Sequence, residues 1–149
     1  MEEDQPIERP VPLPDDVLRI LQKDGRVQTC LEQGRSLDQI PADWFVAAEQ
    51  NLNDGESSDL LIMANNSCLF GANVAPFWIF RGTLQGYRLV LDVPALTLRI
   101  LDSRTNGYLD IETSAATTVE IAYAAFRSDG KEYRLHRAWR EPISPKGLP

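Results

Sequence analysis

Two stretches of this 149-residue chain repeat one pattern at a fixed spacing. Phe80-Arg81 followed by Tyr87-Arg88-Leu89 returns as Phe126-Arg127 followed by Tyr133-Arg134-Leu135, every position displaced by 46. Upstream, Asp54-Gly55 before Asp59-Leu60 is echoed by Asn106-Gly107 before Asp110-Ile111, a turn signal and then an acid that opens an apolar run. Self-similarity at about 20–50 residues marks repeated supersecondary units that bury their apolar faces by stacking on one another.

From Trp44 onward, short apolar runs are separated by Gly, Asn, Asp and Pro, which is the signature of strands. Eight are expected. The first unit holds Trp44–Gln50, Leu60–Ala64, Phe77–Phe80 and Tyr87–Leu91, and the second holds Leu96–Leu101, Leu109–Thr113, Val119–Phe126 and Tyr133–Trp139. In the first of these, Ala47-Ala48-Glu49-Gln50 would suit a helix as well. Gly82–Gly86 and Ser128–Lys131 supply the positive-φ positions that tight hairpins need. Four antiparallel strands cannot bury both faces alone, so two stacked units with a helix over an exposed face or edge would make one core.

The expected class is therefore mainly β (α+β), with an N-terminal helical segment before two four-stranded units. Residues 1–14, with Pro6, Pro10, Pro12 and Pro14, read as an extended or disordered lead. Residues 15–149 read as a single domain, helical over 15–34 and β over 44–91 and 96–139. Asp15 or Asp16 is expected to cap a helix that carries Val17, Leu18 and Leu21 and stops at Gly25. A second short helix around Val27–Gln33 would end at Gly34.

Charge narrows the partners. A net charge of −7 and a pI near 4.7 argue against nucleic acid, which demands clustered Lys and Arg, and against anionic membrane surfaces. No apolar run approaches the roughly 18 residues that span a bilayer, so membrane insertion is not expected. Cys30 and Cys68 lie outside any Cys-x-x-Cys pair. They can form one disulfide in an oxidising compartment or two buried thiols in the cytosol, and the disulfide is the reading adopted. Met1 leads into Glu2-Glu3-Asp4 with no basic n-region, so a periplasmic or secreted location carries the expectation that a signal peptide has already been removed.

The stretch Asn51-Leu52-Asn53-Asp54-Gly55-Glu56-Ser57-Ser58-Asp59-Leu60-Leu61-Ile62 resembles the FG-GAP or VCBS repeat of integrin-type propeller blades, and Asn106-Gly107-Tyr108-Leu109-Asp110-Ile111 is a shorter second copy. The resemblance implies an adhesive β module and a calcium site. Asn51, Asn53, Asp54 and Asp59 are the metal candidates it points to. The chain departs from the family pattern where Asn51 replaces the first acid and Gly55 the central one. Calcium takes about six to eight oxygens and weakens as amides replace carboxylates, so no cofactor is expected and calcium binds weakly or not at all. Read without the family, Asn53-Asp54-Gly55 is a hairpin turn and Asp59 hydrogen-bonds its backbone amides.

His136 is the single histidine, so any Ser-His-Asp or Cys-His mechanism must use it, and no nucleophile motif accompanies it. A hydrolase built on His136 or a carboxylate pair is the remotest alternative. Residues 65–76 form a long link between strands. Either its apolar residues fold back on the core with Cys68 pinned to Cys30, or its Leu69, Phe70, Asn73 and Val74 bind a partner. Trp44, Trp78 and Trp139 are read as core, although an exposed one could serve as a stacking platform for sugar. The leading expectation is a non-catalytic extracytoplasmic module that binds a protein or a cell-envelope component. The alternative is a periplasmic inhibitor of a basic enzyme such as lysozyme, drawn in by the acidic surface.

Overall fold

A computed structural model describes residues 10–31, 34–53, 58–71 and 74–143. A two-residue strand β1 (Pro10–Val11) precedes helices α1 (Asp15–Gln22) and α2 (Gly25–Gln28). Eight further strands follow: β2 (Phe45–Gln50), β3 (Asp59–Ala64), β4 (Ala75–Thr83), β5 (Gly86–Ala95), β6 (Thr97–Thr105), β7 (Tyr108–Ala116), β8 (Glu120–Ser128) and β9 (Tyr133–Pro142). They form two antiparallel sheets, β1-β2-β3-β4-β5 and β6-β7-β8-β9. Each of the eight expected apolar runs overlaps one of these strands, with Trp44, Leu96 and Val119 lying one residue before β2, β6 and β8. The Ala47-Ala48 segment is strand because both alanines are buried against neighbours in the first sheet.

The chain is layered as helices, first sheet, second sheet. Leu60, Ile62, Trp78 and Phe80 face one way and pack with Val17, Leu21 and Val27 of the helices. Leu61, Phe77, Ile79 and Leu91 face the other way and meet Leu98, Ile111 and Tyr133 of the second sheet. That alternation follows from the two-residue period of a strand. Fully burying one such side chain stabilises by about 1.5–3 kcal/mol, so β3 and β4, buried on both faces, are the densest part of the fold.

The helical segment departs from the sequence reading at three points: the cap of α1, the role of Gly25, and the second helix, which spans Gly25–Gln28 where Val27–Gln33 was expected. Pro14 occupies the N-cap of α1 and no side chain caps that helix. Asp16 instead accepts from the amides of Val17 (3.0 Å) and Tyr87 (2.8 Å), which clips α1 to the β4–β5 hairpin. Gly86 makes room for this clip, because its φ is +113° and a Cβ there would sit 2.8 Å from the Asp16 carboxylate. Gly25 does not stop a helix but opens α2, since the Asp24 carboxylate accepts from the Arg26 amide and starts a new turn at 2.8 Å. The same carboxylate accepts from Trp78 Nε1 at 2.9 Å, so the sheet decides where α2 begins.

The two outer hairpins share a register. Phe80 pairs with Leu89, Arg81 with Arg88 and Gly82 with Tyr87, and Phe126 pairs with Leu135, Arg127 with Arg134 and Ser128 with Tyr133. In both, the register shifts just before the phenylalanine, between Ile79 and Phe80 and between Ala125 and Phe126.

Cys30, just after α2, and Cys68, in the β3–β4 link, lie at disulfide distance with sulfurs 2.07 Å and Cα atoms 5.8 Å apart. The bond ties the helical layer to the first sheet and restricts the unfolded chain. Replacing both cysteines by serine is expected to lower unfolding free energy by about 2–4 kcal/mol in urea titrations, with an unchanged circular dichroism spectrum. Equal midpoints for the two proteins would show that the bond restrains nothing the core does not already hold.

Candidate functional site

The acids that open β3 and β7 have different surroundings. Asp110 is 5% exposed and accepts from Ser103 Oγ (2.6 Å) and Thr105 Oγ1 (2.8 Å), so its charge is met by hydroxyls. The turn before it is built by Asn106 (φ 52°) and Gly107 (φ 87°), a pair suited to tight hairpins. Asp59 is fully buried, and neither of its carboxylate oxygens has a hydrogen-bond partner. The amide of Gly82, whose dipole lies near, already donates to the Ser58 carbonyl at 3.0 Å.

Arg81 faces Asp59 across β3–β4 and is itself buried. Its guanidinium lies 3.5 Å from the centre of the Tyr108 ring and donates from Nη1 to the Lys131 carbonyl at 3.0 Å, while Nε and Nη2 have no partner. Beside it the Tyr133 hydroxyl donates to the Leu109 carbonyl at 2.7 Å, and burial pushes that phenol well above its usual range. The group is a polar seam between the sheets. Burial pushes the Asp59 carboxyl up to about 6, against the pull of Arg81.

These positions do not fit a calcium site. Asn51 is exposed, Asn53 and Asp59 are buried, and Asp54 lies outside the described residues. A divalent ion at Asp59 would have a single described carboxylate and the Arg81 guanidinium facing it, where calcium sites collect several anionic oxygens. The backbone amides of Gly82 and Leu52 lie near enough to favour the charged form of Asp59, though neither reaches full hydrogen-bond geometry. Among the described residues no three His, Cys, Asp or Glu side chains cluster as metal ligands would.

The long link between β3 and β4 divides. Leu69 is 6% exposed and belongs to the core beneath the helices, so it is unavailable to a partner. Its burial follows from the short turn Ser67–Leu69, which Asn66 caps through the Cys68 amide at 2.9 Å. Phe70 is 51% exposed, Val74 is half-buried, and Asn73 lies outside the described residues. His136 is exposed on β9, at the edge of the second sheet, and hydrogen-bonds to none of the described residues.

The outward face of the second sheet carries a feature the sequence reading placed in the core. Alternation from Ile111 and Phe126, which point inward, turns Tyr123 and Arg127 outward, and Trp139 pairs directly with Tyr123. The two rings stack with centroids 5.2 Å apart and planes 15° from parallel. Arg137 lies over Trp139 at 4.5 Å. Across the sheet the same row continues through Ser114 and Thr97, whose hydroxyls are 2.5 Å apart. The signal in the sequence was a tryptophan among arginines in the last strand, because the last strand of a meander is an edge.

Along the same strands, bordered by Pro94 of the first sheet, is a cleft of about 560 Å³ lined by Thr113, Ser114, Ala115, Ala122, Tyr123, Ala124, Ala138, Trp139 and Arg140. Arg140 is ion-paired with Glu120. The positions of β8–β9 that follow Trp78 and Asp92 of β4–β5 by 46 residues are Ala124 and Ala138, whose small side chains leave that space open.

No family model matches the chain, and neither a curated protein nor a solved structure matches it.

The Asp59 seam predicts a pH dependence. Its folded pKa stands above the roughly 3.9 of an unfolded aspartate, so the native state holds the proton longer and stability falls as pH rises from about 4 to 6. Asp59→Asn removes that loss. Its stability relative to wild type is expected to rise by on the order of 2–3 kcal/mol between pH 4 and pH 7 in denaturant titrations at each pH. A difference that is flat with pH would show that Asp59 ionises freely.

Proposed function

We propose that this chain is a non-catalytic binding module acting outside the cytoplasm, and that it recognises a protein or cell-envelope component through the outward face of its second sheet. The observation that carries the reading is the solvent-facing Tyr123–Trp139 stack with Arg137 over it. Tyr, Trp and Arg are the side chains that dominate binding energy at interfaces, because they give large contact area with few rotors. The Cys30–Cys68 pair supports an oxidising compartment. Among the described residues no helix is long and apolar enough to cross a membrane.

The two β units are read as degenerate FG-GAP or VCBS-like repeats, a reading supported by the shared register and shared shift of the two outer hairpins. In that reading the charge of Asp59 is offset by Arg81 and calcium has no structural task. The melting temperature is therefore expected to stay the same in millimolar calcium and in chelator, since a ligand of the native state must raise it. A rise of several degrees with calcium, lost in Asp59→Ala, would reverse this.

The inhibitor alternative requires an acidic surface at the interface. The outward aromatic face carries Arg99, Arg127 and Arg137 against Glu112 and Glu141, so it is not an acidic surface and the binding-module reading accounts for it better. Binding to isolated cell envelopes, followed by co-sedimentation, tests the reading. The full chain is expected to co-sediment, and Tyr123→Ala with Trp139→Ala is expected to weaken retention at least tenfold while melting as wild type does. Retention that ignores this pair would move the binding surface elsewhere, and no retention at all would remove the envelope as partner.

A further inference from the structure

We infer that the outward face of the second sheet binds a polysaccharide bearing uronic acids, with sugar rings against the Tyr123 wall and carboxylates on Arg127 and Arg137. The inference rests on the binding-module reading and names the ligand class of that face.

The shape comes from one row of side chains. Thr97, Ser114, Tyr123 and Trp139 stand side by side, one from each strand of the sheet. Two aromatic rings therefore rise beside two small hydroxyl side chains. Trp139 has its faces taken by Tyr123 and Arg137, but the neighbour of Tyr123 on the β7 side is only a serine. Strands lie about 4.8 Å apart, so the step above Ser114 and Thr97 is about two strands, or roughly 10 Å, wide. That suits a sugar ring, whose C–H face packs on an aromatic ring while its hydroxyls bond those of Ser114 and Thr97.

The charge comes from the arginines left over. Arg134 is held by Asp129 and Glu132, Arg140 by Glu120, and Arg99 lies 3.9 Å from Glu112. Arg137 pairs in register with Ala125, and Arg127 is two residues along the same face. Neither has a carboxylate partner among the described residues, on a chain whose net charge is −7 and on a face whose acids are Glu112, beside Arg99, and Glu141, two residues beyond Trp139. A guanidinium binds carboxylate through parallel hydrogen bonds, so two free ones on an acidic protein select an anionic ligand.

A comparison within the chain shows that this face is adapted to a wet ligand. In β4–β5 the corresponding pairs are Phe77–Val93 and Ile79–Leu91, and the second sheet covers them. In β8–β9 they are Tyr123–Trp139 and Ala125–Arg137, and among the described residues nothing covers them. A dry apolar interface has been exchanged for aromatic rings with polar rims and a cation. A third β unit would gain nothing from that exchange. An acidic polypeptide would meet the arginines and leave the step above Ser114 unused, and the net charge opposes nucleic acid.

Calorimetric titration of the full chain with polygalacturonate tests this. The same polymer in highly methyl-esterified form keeps the rings without the charge, and polyglutamate keeps the charge without the rings. Polygalacturonate is expected to bind at least tenfold more tightly than either. Trp139→Ala and the double variant Arg127→Gln with Arg137→Gln are each expected to weaken it at least tenfold, whereas Arg88→Gln, an exposed arginine of the first sheet, leaves it unchanged. Should Trp139→Ala melt early, the double arginine variant decides. Polyglutamate binding as well as polygalacturonate would make the partner an acidic protein and overturn the inference. Absence of polygalacturonate binding would overturn it too, and envelope retention that still depends on Tyr123 and Trp139 would then leave the binding module standing.

Discussion

Strand β4 is buried on both faces, and the rest of the architecture is arranged around it. Phe77 and Ile79 anchor the second sheet, while Trp78 and Phe80 anchor the helices. A one-residue slip would exchange the two sets and empty both cores. The Trp78 indole makes the choice one-sided, because its N–H finds the Asp24 carboxylate only on the helical side. At the far end of the strand, Gly82 lets the Ser58 backbone come so near that a Cβ would lie 2.5 Å from its carbonyl oxygen. Any larger residue there would push β3 away from β4.

Where β4 leaves the apolar core, Arg81 takes over the task of holding the second sheet. It lies on the Tyr108 ring and donates to the Lys131 carbonyl, so one guanidinium contacts β7 and the β8–β9 turn together. A buried cation is costly unless a counter-charge is close, and Asp59 on the neighbouring strand supplies it. The pair is imperfect, since both groups keep unpartnered atoms. Its value lies in orientation: apolar surfaces slide over one another at little cost, whereas a buried cation has few acceptable places.

The strands were legible because alternation and turn residues are local properties. The face a strand presents to solvent was not. Trp139 and Trp78 look alike in sequence, and only the order of strands in the sheet makes one an edge residue and the other the centre of a core. The start of α2 was hidden for a similar reason, since Asp24 serves the Arg26 amide and the Trp78 indole at once. Of the two readings of the 65–76 link, Leu69 follows the core one, because the turn that Asn66 caps folds it under the helices. Asp59 and Asp110 were a matched pair in sequence. Their partners, a guanidinium in one case and two hydroxyls in the other, come from opposite ends of the chain's layers.

The two outer hairpins show how equal registers acquire different roles. Strand β4 has a partner layer on each face, so its central side chains, Phe77 to Phe80, are large and apolar. In β8–β9 the inward positions shrink to Ala124 and Ala138, which opens the cleft, and the outward ones become Tyr123, Trp139 and Arg137. Had this face merely been exposed, charged and small polar residues would have served, as they do at protected sheet edges. Stacked aromatic rings stabilise a sheet by about 0.5–1.5 kcal/mol, but that stabilisation needs no arginine beside them. Their retention beside two arginines without carboxylate partners is therefore the strongest reason to look for the function of this protein on that face.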